Sequence, residues 1–143
     1  MSKYQETKKF LSKVNKLDRL ISVKLLEAEK HKMMAMNISS TIKQDVVQTS
    51  KENTFEKAMI AARTAEEEAN ALIEKLYQKR EEINKMVQAL DDEDVISVLT
   101  AHFLCGKTFE EMETILPMSN RTLYRVYERG LDMFEKKYGS LYL

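Results

Sequence analysis

Asn120 and Arg121 stand side by side, and Thr122, Tyr124, Arg125 and Arg129 follow them at helical spacing. These side chains suit the reading of DNA. Arginine can donate two hydrogen bonds to guanine O6 and N7, and asparagine can pair with adenine N6 and N7. Arg125 and Arg129 recur one and two turns after Arg121, a spacing that fits contacts to phosphates. From Ser119 to Arg129 there are three arginines and one glutamate, so this stretch is locally basic. The competing reading is a solvated helix face that holds three arginines and contacts no nucleic acid.

The elements that must position these residues are legible around them. Thr108 with Glu111 three residues later makes a capping box, in which the hydroxyl accepts from an amide and the carboxylate reaches back. Phe109, Met112, Ile115 and Leu116 then recur at helical spacing. Pro117 ends that helix, because the residue before a proline is pushed out of the α region. Ser119 is a good cap for the next helix, whose apolar stripe reads Leu123, Val126, Leu131 and Phe134. Two helices joined by a tight turn, with Asn and Arg near the start of the second, is the layout of a helix-turn-helix. Asp91, Asp92, Glu93 and Asp94 suit the start of a preceding helix, where acids favour the dipole.

The first ninety residues read as long helices. Residues 1–105 contain no glycine or proline. From Phe55 the positions Met59, Ala62, Glu66, Ala69, Ile73, Leu76, Arg80, Ile83, Val87 and Leu90 follow at steps of four and three, the spacing of a coiled-coil seam. Ala58, Ala65, Leu72 and Met86 widen it, and Asn53 with Glu56 marks a start. Glu66 and Arg80 either set register on the seam or lie where it is solvated. An earlier helix, from about Tyr4 to Met36, carries Phe10, Val14, Leu17, Ile21, Leu25 and Ala28. The polar stretch 37–53 between them reads as a connector. The expected architecture is therefore all-α: residues 1–90 form a helical hairpin or coiled coil, and residues 91–139 form a three-helix helix-turn-helix domain. Gly139 is the expected final stop, with the tail fraying or packing back through Leu141 and Leu143.

Composition narrows the function. The 143 residues suffice for one domain or a domain with an extension. The 23 basic and 23 acidic residues cancel, which argues against a protein that coats nucleic acid through bulk charge. It leaves room for a site-specific binder with a local basic face. Nine methionines suit irregular gaps between helices. Cys105 is the single cysteine, so no internal disulfide and no cysteine-based zinc finger are expected. His31 and His102 have no partners at metal-ligand spacing, and no metal or cofactor is expected. No apolar run approaches a membrane span and no leader precedes the first helix, so a cytoplasmic location is expected. An enzyme is not expected: no phosphate-binding glycine loop, HExxH or GxSxG is present. The acidic clusters Glu66-Glu67-Glu68 and Glu81-Glu82 are interleaved with lysines and arginines as on solvated helix faces.

From Leu90 to Phe134 the chain resembles the helix-turn-helix of sigma-factor region 4. The resemblance rests on DDEDVISVLTAHFLCGKTFEEMETIL and SNRTLYRVYERGLDMF: the acidic start, the apolar helix ending at Phe103-Leu104, the Gly106 stop and the Ser119 cap. With its long helices the whole chain is similar to small phage and prophage proteins of the kind of the ArpU and RinA regulators of phage late genes. The resemblance implies a DNA-binding transcriptional regulator of phage or prophage origin, acting in the bacterial host cell. It puts Asn120, Arg121 and Tyr124 at base-reading positions, and Thr122 and Arg125 at backbone or neighbouring-base positions. Leu123, Val126, Gly130 and Leu131 fall on the packed face. Three positions depart from the pattern. Pro117 stands where the turn usually has glycine, so the turn must be built differently, because proline cannot take positive φ. Glu113 stands where a small residue is usual, and must reach solvent or pair with Arg121 or Arg125. His102 replaces a residue that is commonly basic.

The expected partners are double-stranded DNA and a second copy of the chain, as a homodimer or higher oligomer through the long helices, with host RNA polymerase as a further partner. The rival expectation is an adaptor whose helix-turn-helix docks on RNA polymerase or a sigma factor and reads no DNA.

Overall fold

The computed structural model describes residues 3–44 and 49–143, with side chains for 3–40 and 52–143. The described residues form six α-helices and no strand, the expected all-α class. In chain order they are α1 (Gln5–Leu11), α2 (Lys13–Gln44), α3 (Thr49–Gln88), α4 (Glu93–Leu99), α5 (Phe109–Ile115) and α6 (Asn120–Tyr138). A π-helical turn, Thr100–Leu104, follows α4, and a 3₁₀ turn, Gly139–Leu141, follows α6. The helix expected from Tyr4 to Met36 is interrupted at Ser12 and runs on to Gln44. The following helix starts at Thr49, ahead of Asn53, so Asn53 is no cap. The expected connector 37–53 is thus largely helical, and its residues 45–48 lie outside the described residues. Its Asn, Ser and Thr are only mildly poor helix formers and it holds no Gly or Pro, so its flanks 37–44 and 49–53 continue the two helices.

The chain divides into two compact units, Leu17–Lys75 and a second one built from Met1–Lys16 with Leu76–Leu143. This differs from an expected boundary near Leu90. Within Leu17–Lys75, α2 and α3 pack antiparallel along small residues. Ile21, Ala28 and Ala35 of α2 and Ala58, Ala62, Ala65 and Ala69 of α3 are buried. Of the two overlapping heptad registers on α3, burial selects Ala58 and Ala65 over Met59 and Glu66 in this unit. The longer side chains lie at the rim, where Glu66 pairs with Lys32, and Lys24 reaches Glu68 at 2.7 Å. Such exposed pairs are worth about 0–1 kcal/mol. Glu66 is therefore a rim residue rather than a buried register-setting one.

The second unit holds the larger core. Phe10, Leu11 and Val14 meet Ile83, Met86, Val87 and Leu90, together with Val95, Val98 and Leu99 of α4. Phe103, Leu104, Met112, Leu123, Val126, Leu131 and Phe134 complete it. In the π turn the Cys105 N–H bonds the Thr100 carbonyl at 3.0 Å, and the wider ring lets the adjacent Phe103 and Leu104 both face inward. Arg80, on the expected seam, donates to the Leu104 carbonyl and so satisfies a helix end. Gly106 then takes φ +69°, as a stop at that position requires.

Segment 3–11 is tied to α6 and to the residues after it. The Tyr4 hydroxyl donates to Asp132 Oδ1 at 3.0 Å, and the Thr7 and Tyr142 hydroxyls are 2.8 Å apart. The Tyr142 ring stacks on Phe10 at 4.7 Å. The tail therefore packs back through Tyr142, whereas Leu141 and Leu143 are exposed. Gly139 is not a left-handed stop: its φ of −56° carries the chain on into the 3₁₀ turn.

Gly130 is where α6 crosses α4. A Cβ there would lie 3.0 Å from Val95 Cγ1 and 3.2 Å from Leu99 Cγ, both on fully buried side chains. Gly130→Val is expected to lower stability by about 1–3 kcal/mol through overpacking. Denaturant titration of parent and variant measures it, and an unchanged midpoint would contradict this close crossing.

Candidate nucleic-acid interface

The start of α5 is the expected capping box. Thr108 Oγ1 accepts from the Glu111 N–H at 3.2 Å, and the Glu111 carboxylate accepts from the Thr108 N–H at 3.1 Å. The backbone N–H of Thr108, followed by its hydroxyl, holds Glu111 below the usual glutamate range. A depressed folded pKa adds stability above the unfolded value, and this is lost as pH falls through the folded value. Glu111→Gln keeps the shape of the box without its titration. Its stability is therefore expected to decline less steeply than the parent's as pH drops below the usual glutamate range, as read from denaturation midpoints across pH.

The turn after α5 uses no positive φ. Leu116 is extended, with φ −102° and ψ 140°, and the Met118 N–H bonds the Leu116 carbonyl at 2.8 Å around Pro117. An i to i+2 bond is that of an inverse γ-turn, whose central φ near −75° suits proline. This is how Pro117 replaces glycine. Ser119 caps α6: its Oγ accepts from the Thr122 N–H at 3.3 Å and lies 3.0 Å from Thr122 Oγ1. Met112 and Leu123, both fully buried, pack α5 and α6 against the core. Ile115, placed on the apolar stripe from its spacing, is instead 56% exposed. It lies in the last turn of α5, beyond the reach of the core that covers Met112.

The candidate residues fall on one helix but not in one state. Asn120, Arg121, Thr122, Tyr124 and Arg125 are all exposed in the first two turns of α6. Among the described residues, Arg121 and Arg125 carry no ion pair or hydrogen bond. Glu113 is exposed, and it too has no partner there, so it leaves both arginines alone. Thr122 is engaged locally by Ser119. The Tyr124 ring stacks on Phe109 at 4.4 Å, fixing it as part of a ridge beside the arginines. Arg129 differs: its Nε and Nη2 both lie 3.0 Å from Asp92 Oδ2. Asp92 also caps α4, accepting from the Asp94 and Val95 N–H groups at 3.1 and 3.2 Å. The expected acidic helix start is thus present, and one of its acids holds the third arginine. The basic face is confined to the first two turns of α6.

His102 has an internal role. Its Nδ1 lies 2.8 Å from the Lys107 carbonyl, and its ring packs against Phe103, Phe109 and Tyr127. Burial raises the Tyr127 hydroxyl above the usual tyrosine range, with Tyr124 adding to it.

Sequence reading assigned nothing to the N-terminal lysines. Lys3, Tyr4 and Lys8 line a hollow of about 200 Å³ with Tyr124, Tyr127 and Glu128, so two cations lie beside the same helix. The signal for them was present: Lys3, Lys8, Lys9, Lys13 and Lys16 face only Glu6 as a counter-charge in the first sixteen residues.

Among the described residues no group of three or more His, Cys, Asp or Glu is placed to hold a metal ion, and no helix is long and apolar enough to cross a membrane. Compared with family models, curated proteins and solved structures, the chain matches none.

Proposed function

We propose that this protein is a phage-type DNA-binding transcriptional regulator that presents the start of α6 to the major groove. It acts in the cytoplasm of a bacterial host cell, without catalysis or cofactor, and binds double-stranded DNA as an oligomer. The observation that carries the reading is the state of Arg121 and Arg125. Two arginines one turn apart, exposed and unpaired among the described residues, sit in the capped first turns of a helix that follows a tight turn. Asn120 adds an adenine-reading group beside them. The zero net charge and the glutamates of α5 favour recognition of a particular site over general coating.

The test is selection from a random duplex pool at moderate salt. Enrichment of one motif supports the reading. Weak binding with no motif overturns it and favours the second reading, an adaptor that docks on RNA polymerase or a sigma factor. One observation favours that alternative: Phe109 and Tyr124 form a stacked aromatic ridge, and Ile115 stands exposed on the same pair of helices. Aromatic and apolar surface is characteristic of protein-docking sites.

A further inference from the structure

Lys3 and Lys8 share one hollow beside α6 because the helical path breaks at Tyr4. Five residues apart, they would lie about 140° apart around a continuous helix. Tyr4 instead takes φ 63° and ψ 26°, a left-handed conformation uncommon for a residue with a Cβ. Such a conformation persists where the surroundings fix it, and here the Tyr4 hydroxyl donates to Asp132 of α6. Lys3 Nζ lies 5.7 Å from the centre of the Tyr4 ring, and Lys8 Nζ lies 6.0 Å from that of Tyr127. Ring faces thus hold both ammonium groups beside α6. Glu128 is the one carboxylate on the lining, against two lysines. The hollow also adjoins the arginine face: Tyr124, which lines it, follows Arg121 by three residues and directly precedes Arg125. On the other flank of α6, Arg129 is held by Asp92.

We infer that Lys3 and Lys8 hold the phosphate backbone of the same duplex whose bases α6 reads, an inference that rests on that reading of α6. The major groove is about 12 Å wide, and a helix with its side chains is about 10–12 Å across. A helix seated in the groove therefore has a row of phosphates along its flank, and cations fixed beside the helix meet that row. Lysine suits the task, because its ammonium is a compact point charge with three donors and needs no bidentate geometry. Contacts of this kind carry no base information; they set the register and orientation of the reading helix. The division of labour is then spatial: Asn120, Arg121 and Tyr124 face the bases, and the N-terminal segment, tied to α6 through Tyr4, grips one strand beside them.

The test titrates the full chain against the duplex enriched from the random pool and against a scrambled duplex, at several salt concentrations. Lys3→Gln with Lys8→Gln is expected to weaken binding to both duplexes by the same factor and to lower the slope of log affinity against log salt by about 1.8. The ratio of the two affinities is expected to stay at the parent's value. Lys3→Gln alone alters an exposed residue ahead of α1 and is expected to lower the slope by about 0.9, which keeps the readout should the double variant fold poorly. Lys8→Arg keeps the charge and is expected to retain the parent's slope. Lys30→Gln with Lys57→Gln removes equal charge from the Leu17–Lys75 unit and is expected to leave the slope unchanged. An unchanged slope in the Lys3 and Lys8 variants, an altered affinity ratio, or an equal fall in the Lys30 and Lys57 control would each overturn this inference and leave the reading of α6 standing. A parent that enriches no duplex would overturn the reading of α6 and this inference with it, so the two failures are told apart by the parent protein alone.

Discussion

Replacing Arg121 and Arg125 together by alanine is expected to abolish selective binding to the enriched duplex while leaving the fold intact. Both side chains are exposed and neither bonds another described residue, so their removal deletes no hydrogen bond or ion pair among the described residues. A bidentate arginine-to-guanine contact contributes about 1–3 kcal/mol of discrimination. Loss at Arg121 alone thus amounts to roughly ten- to a hundredfold in affinity for the preferred site. A phosphate contact by Arg125 adds a sequence-independent loss and lowers the slope of log affinity against log salt by about 0.9. The two effects separate experimentally. Titrations of preferred and scrambled duplexes at several salt concentrations report discrimination through one residue and salt slope through the other. Arg129→Ala is the control, because its guanidinium is held by Asp92 and its loss is expected to appear in stability before it appears in affinity. Unchanged affinity and slope in the double variant would transfer the function from these arginines to the aromatic ridge.

Phe134→Ala is expected to have the largest effect on stability, about 3–5 kcal/mol. Phe134 is fully buried, and its ring lies 5.9 Å from Phe10, 5.0 Å from Tyr138 and 6.2 Å from Tyr142. The substitution therefore empties the centre of an aromatic cluster joining α1, α6 and the final turn. A loss of this size is a large part of the 5–15 kcal/mol that typically separates folded from unfolded chains. The chain has no tryptophan and six tyrosines, so thermal unfolding followed by near-ultraviolet tyrosine signals reads the cluster directly. A loss below about 1 kcal/mol would mean that this cluster does not hold the helices together, since such a core site gives larger values.

What was legible in the sequence was what is local. The Thr108–Glu111 box, the Ser119 cap and the acidic helix start at residues 91–94 each involve groups within a few residues, and spacing alone identifies them, while the Gly106 stop came with the resemblance. The stripe Leu123, Val126, Leu131 and Phe134 was legible because nineteen residues of helix repeat the pattern. Ile115 was misplaced because α5 is only seven residues long, and periodicity over two turns does not say where the core ends. The two registers on α3 differ by one residue, and only the partner helix decides between Met59 and Ala58. Arg80 looked like a seam defect because its acceptor, the Leu104 carbonyl, is a backbone group with no signature in composition. Arg129 looked free for the same kind of reason: Asp92 lies 37 residues away. The proposed base-reading role of Asn120, Arg121 and Tyr124 rests on their chemistry, legible in the sequence, and on their exposure at the start of α6.

The attachment of Tyr4 to Asp132 and of Thr7 to Tyr142 spans 128 and 135 positions of chain. On the ribosome, α1 emerges well before these partners in α6 and the final turn, which follow more than a hundred residues later. At about 5–20 residues per second that is a wait of roughly 6–27 seconds. The intervening Leu17–Lys75 unit is free to form in that interval from nearer contacts. Because loop-closure entropy grows with the length of free chain, its prior formation eases the later joining. Until then the core that Phe10, Leu11 and Val14 enter lacks its α6 side, Leu123, Val126, Leu131 and Phe134. Nascent chains stalled before α6 should therefore expose the N-terminal apolar residues to chaperones or proteases, and release of the full chain should end that exposure.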